Sequence, residues 1–180
     1  MLKMFHSENQ PKKKPSRMRT TEKLVNPVMS QYQNRLTNEE KQKYTDLFNE
    51  NSSDGKVKKE NFLPLLGFFG TKVPQDFSDR MFYVLSEGKQ ELTLDQYLYY
   101  INIYHYGDIN ERCFYTFKLM DSNKTGKIEL KDFQSYINLI INTVKKVNNT
   151  SSKNLMTDKD IEILFFHISK GNSFFDYNDL

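Results

Sequence analysis

The 180-residue chain has no tryptophan, one cysteine, seven glycines and five prolines. A single Cys113 excludes an intramolecular disulfide and any zinc site built on cysteines, and its place in a helical stretch predicts a packing role. So little glycine speaks against a turn-dense β-fold. The 14 phenylalanines and 11 tyrosines predict instead helices packed around aromatic clusters. No apolar run is long enough to span a bilayer, and Met1-Leu-Lys-Met-Phe-His6 lacks the apolar stretch of a secretory signal. A soluble, cytoplasmic protein is therefore expected, one in which Asn-x-Ser/Thr matches such as Asn149-Thr-Ser151 carry no glycan. Leu2 in place of glycine argues against N-myristoylation. The three histidines, His6, His105 and His167, form no metal-binding pair and no nucleophile–base pattern, and no phosphate-cradling glycine loop occurs. The expected class is non-catalytic.

The net charge of +3 is unevenly placed. Residues 1–35 hold eight Lys or Arg against Glu8 and Glu22, a charge of +6, and the remainder carries −3. With Pro11, Pro15 and Pro27 and little periodicity, residues 1–35 read as an extended basic arm. Such an arm suits an acidic polymer such as a microtubule. Nucleic acid is a weaker candidate, because no aromatic-interleaved basic surface continues into the folded part.

Order begins at the capping-box pattern Thr37-Asn-Glu-Glu40, and from there a repeat emerges. Val57, Leu92 and Ile128 recur at intervals of 35 and 36 residues, each placed for a short strand between two helices. The first unit pairs a helix through Phe48 with a second helix over about 59–69, across a loop at Asp54-Gly55. The second starts at Pro74, in a first helical turn, and runs through the turn Glu87-Gly88 to a helix ending near Tyr104. A fourth unit begins with the cap Thr157-Asp-Lys-Asp160 and places Phe175 at the strand position, with Leu180 falling where a last helix should start. The chain either continues past Leu180 or ends in a truncated unit. Aromatic residues at helical spacing form the expected core: Phe62, Phe68, Phe69, Phe77, Phe82, Phe114, Phe117, Phe133, Phe165 and Phe166. Tyr97, Tyr99, Tyr100, Tyr104 and Tyr106 crowd too closely for one face to bury them all.

The third unit carries the chemistry. Asp121-Ser-Asn-Lys-Thr-Gly-Lys-Ile-Glu-Leu-Lys-Asp132 sets oxygen donors at alternate positions around Gly126, the arrangement by which a twelve-residue loop wraps a hard cation. Positions 1, 3, 5, 7, 9 and 12 are Asp121, Asn123, Thr125, the Lys127 carbonyl, Glu129 and Asp132. The segment resembles an EF-hand, and residues 37–180, with a long gap before the fourth unit, are similar to the calcineurin B, neuronal calcium sensor and potassium-channel-interacting group. The resemblance implies calcium at Asp121, Asn123, Thr125, Lys127, Glu129 and Asp132. It departs from the family at Asp132, where a glutamate is usual. The shorter side chain favours one oxygen over two and admits magnesium as a competitor.

The other loops depart further. Glu50, Lys58 and Asn61 weaken the first; Leu85 and Gln96 leave the second without its first and last ligands; Ile168 and Lys170 spoil the fourth. The expected fold is all-α: four helix-loop-helix units in two paired lobes, 36–106 and 107–180, with short β-ribbons between loops and a basic arm in front. The expected function is an EF-hand adaptor or sensor with at most one working metal site, binding an amphipathic helix or peptide of a partner protein. Two alternatives stand beside it: a cytoskeletal or ciliary microtubule-associated protein with degenerate loops, and a regulatory front module of a longer polypeptide.

Overall fold

The computed structural model describes residues 34–69, 72–149 and 156–180. Nearly all of the basic arm lies outside these residues. Along the described chain run α1 (Asn38–Glu50), β1 (Lys56–Lys58), 3₁₀ segments at Lys59–Asn61 and Leu63–Phe69, α2 (Gln75–Leu85), β2 (Glu91–Thr93), α3 (Leu94–Tyr106), α4 (Ile109–Met120), β3 (Ile128–Glu129), α5 (Leu130–Asn148), α6 (Asp158–Ile168), β4 (Phe174–Phe175) and a 3₁₀ turn at Tyr177–Asp179. The protein is mostly helical, with two small antiparallel ribbons.

Local chemistry starts the helices. Thr37, Thr93, Asp108 and Thr157 each accept from the backbone N–H three residues on, and Glu40, Gln96, Glu111 and Asp160 reach back to the cap N–H. Each box satisfies two amides that have no partner within the helix. Pro74 stands one residue ahead of the expected place, capping α2 in extended backbone while the helix begins at Gln75.

A helix over 59–69 is not what forms. Proline lacks an N–H, and its ring disfavours α geometry at the residue before it. With Pro64 inside the segment, the chain takes two tighter 3₁₀ pieces, Lys59–Asn61 and Leu63–Phe69. Phe62, Leu65 and Leu66 still reach full burial.

Strand β1 pairs with β2 so that Val57 faces Leu92, and β3 pairs with β4 so that Ile128 faces Phe175. All four side chains are fully buried and tie each ribbon to a core. One core gathers Phe48, Phe62, Leu65, Leu66, Met81, Tyr97 and Ile101 around Val57 and Leu92. The other gathers Phe117, Met120, Phe133, Ile161 and Phe165 around Ile128 and Phe175. Leu119 of α4 belongs to the first core, and Tyr136 of α5 packs against both.

The crowded tyrosines divide: Tyr97, Tyr99 and Tyr100 are buried, while Tyr104 and Tyr106 are exposed. Tyr97 donates to the Leu65 carbonyl at 3.0 Å, which anchors α3 to the 3₁₀ segment. Phe166, expected in the core, is 44% exposed because Ile161 and Phe165 already fill the inward stripe of α6. The side chain of Phe68 lies outside the described residues, Phe69 is half-buried, and Cys113 is half-buried in α4.

Arg35 binds the folded part. Its backbone N–H donates to Asn102 Oδ1 at 2.7 Å, and its guanidinium reaches the Tyr106 carbonyl and pairs with Glu111 at 3.0 Å.

Candidate metal centre

The loop between α4 and β3 is shaped by two residues in left-handed backbone, Lys124 (φ 56°) and Gly126 (φ 72°). These two turns bring the chain around Asp121, whose carboxylate takes both oxygens inward. Asp121 Oδ1 accepts from the Thr125 N–H at 2.9 Å and Oδ2 accepts from the Gly126 N–H at 2.9 Å. The residue is only 9% exposed.

Four of the six expected donors come together here. Thr125 Oγ1 lies 3.4 Å from Asp121 Oδ1, 3.0 Å from Asn123 Oδ1 and 3.0 Å from the Lys127 carbonyl oxygen. One hydroxyl has a single proton to give, so at any instant at least two of these approaches are not its hydrogen bonds. The spacing fits a shared cation shell. Oxygens of an octahedron stand about 3.0 Å apart around magnesium, held at about 2.1 Å, and about 3.4 Å apart around calcium, held at about 2.4 Å. The donor set is mixed: one carboxylate with amide, hydroxyl and carbonyl oxygens. No group of three acidic, histidine or cysteine side chains is placed to hold a metal among the described residues.

Glu129 and Asp132 form a second group. Asp132, 9% exposed at the start of α5, accepts from the Glu129 N–H through Oδ2 at 3.2 Å. The Glu129 carboxylate pairs with Lys131 at 3.0 Å, on an exposed edge. One oxygen of Asp132 is thus committed to the helix start, and Glu129 leans toward a lysine. Arg80 of α2 adds positive charge nearby. Desolvation lowers its pKa, while Tyr136 and Asp132 oppose that shift, and its Nη1 is buried without a hydrogen-bond partner.

The other loops are closed by their own hydrogen bonds. At the first, Asp54 and Gly55 take positive φ in a tight hairpin turn in which Ser53 and Lys56 exchange both backbone bonds, at 2.8 and 3.1 Å. Ser52 Oγ and Asn51 Nδ2 are spent on the carbonyls of Asn49 and Leu47.

The second and fourth loops share another design. Glu87-Gly88 and Lys170-Gly171 take positive φ directly after α2 and α6, and the glycine N–H groups donate back to Tyr83 and Phe166 carbonyls. Ser86 and Ser169 are buried at equivalent places.

No protein-family model matches the chain, and no curated protein matches it. The geometry stands by itself.

Lys124 has a partner that its place in the loop does not announce. Its Nζ sits 4.6 Å above the centre of the Tyr83 ring and 3.4 Å from the Glu87 carbonyl oxygen. This contact joins positions about 40 residues apart, between units, and local spacing carries no signal for it.

Proposed function

We propose that this protein is a non-catalytic adaptor of the EF-hand kind, in which loop 121–132 takes one calcium or magnesium ion and steadies the helices that grip a partner. The observation that carries the reading is the convergence of Asp121, Asn123, Thr125 and the Lys127 carbonyl around one hydroxyl, at spacings that suit a hard cation. In this reading Asp132 closes the shell with one oxygen, and Glu129 acts through water or leaves its lysine when metal arrives. The ion would supply the positive charge that so many oxygens at close quarters lack. The partner side rests on exposed apolar residues: Ile163 is 59% and Phe166 44% exposed on α6, and Val144 is 40% exposed on α5. An amphipathic helix or peptide is the proposed ligand of these helices.

A structural reading draws support from the first, second and fourth loops, whose backbone and side-chain polar groups bond to one another. In that reading the protein is a cytoskeletal or ciliary clip whose basic arm follows a microtubule. Co-sedimentation with and without residues 1–33, a deletion that leaves Arg35 on Asn102 and Glu111, separates the two: equal pelleting removes the arm from the account.

A calcium titration followed by amide NMR tests the leading reading. Saturable shifts centred on 121–132 are expected, with the Gly126 amide among the largest because it donates to the first ligand. A spectrum unchanged at millimolar calcium contradicts it.

A further inference from the structure

Lys124 is the residue of the cation loop least suited to its place. It carries a positive charge among metal-facing oxygens, and it occupies left-handed backbone (φ 56°) that side chains disfavour. Its own N–H reaches only the Asp121 carbonyl, at 3.2 Å. The side chain, however, crosses to the neighbouring unit and ends in a built niche. Tyr83 offers its ring face at 4.6 Å and the Glu87 carbonyl an acceptor at 3.4 Å, while Gly88 (φ 81°) keeps the floor open. A Cβ on Gly88 would stand 2.6 Å from Lys124 Nζ and 3.3 Å from the Tyr83 ring. The niche therefore depends on a glycine that the turn already requires, and the turn is fixed by the Gly88 N–H donating to the Tyr83 carbonyl at 2.8 Å.

We propose that Tyr83 is a positioning residue for the cation loop, holding the Lys124 ammonium away from the ligand oxygens and pinning the loop's left-handed residue in its metal-ready shape. The proposal rests on the reading of 121–132 as a cation site. Two effects act together. The ring face and the carbonyl give the ammonium partners outside the loop, so it does not compete for Asp121 and Asn123. Fixing the side chain also limits the backbone at Lys124, which reduces the ordering that binding demands.

The test is isothermal titration of the full chain with calcium chloride, comparing wild type with Tyr83→Ala, Tyr83→Leu and Tyr83→Phe, alone and combined with Lys124→Gln. Tyr83 is 39% exposed, and the leucine variant keeps apolar bulk on α2, so a folding defect is separable from a lost ring. Tyr83→Ala and Tyr83→Leu are expected to weaken calcium binding about twofold to fivefold, with Tyr83→Phe at the wild-type value. In the Lys124→Gln background the same changes are expected to have no effect. A readout independent of metal is the upfield ring-current shift of the Lys124 ε-methylene protons, present in wild type and Tyr83→Phe and absent in the other two. Unchanged affinity in Tyr83→Ala, or a loss that persists in Lys124→Gln, overturns the proposal alone. No calcium binding by the wild-type chain overturns it together with the reading on which it rests.

Discussion

If loop 121–132 takes a cation as proposed, one methylene at Asp132 sets the balance between calcium and magnesium. Glutamate at the closing position of such loops reaches the ion with two oxygens, whereas Asp132 already gives Oδ2 to the Glu129 N–H at 3.2 Å. Lengthening the side chain restores the second oxygen without touching the other donors. Asp132→Glu is therefore predicted to tighten calcium about fivefold or more and to leave magnesium nearly unchanged, as measured by titration with each ion. Glu40 shows a different single-residue effect. Its pKa is lowered by the hydrogen bond from Tyr106, at 2.6 Å, and by the Thr37 backbone N–H. A depressed folded value gives stability that is present above the ordinary glutamate range and is lost as pH falls through the folded value. Thermal unfolding of Tyr106→Phe should match wild type most closely at acid pH, below the lowered folded value of Glu40, and fall short of it at neutral pH. An equal gap at both ends of that range counts against this assignment.

Helix starts are the elements whose chemistry is most local, and they were legible for that reason. Thr37 and Thr157 announce their caps by a partner three residues on, and both boxes form. Thr157→Ala is predicted to cost about 1 kcal/mol in urea denaturation, since the α6 start loses its side-chain acceptor. Segment 59–69 departs from the expected helix because Pro64 imposes tighter 3₁₀ turns. The first loop shows a related limit. Asp54-Gly55 is compatible with an ion-binding turn and with a hairpin turn, and only the paired backbone bonds of Ser53 and Lys56 reveal the hairpin. For the candidate centre, a set of candidate oxygens was readable from alternate spacing. Their grouping was not, because Glu129 is drawn off by Lys131 and Asp132 by the helix start.

Over the whole molecule, the interval between strand positions was the strongest long-range signal. Val57 opposite Leu92 and Ile128 opposite Phe175 follow from burying one apolar residue of each ribbon strand in a shared core. Phe175→Ala removes a fully buried ring that touches Phe133 and Phe165, and it is predicted to cost about 3–5 kcal/mol by chemical denaturation. What crosses between units was hidden from the sequence: Arg35 tied to α3 and α4, Tyr136 touching both cores, Lys124 on Tyr83. Such contacts depend on how helices pack, and no residue spacing encodes them. On the proposed function, loop 121–132 and no other among the described residues takes a divalent cation. Isothermal titration of calcium into wild type and Asp121→Ala tests it most directly. The account predicts one ion per chain in wild type and no binding in the variant; no heat at millimolar calcium, or binding that survives the loss of Asp121, would contradict it.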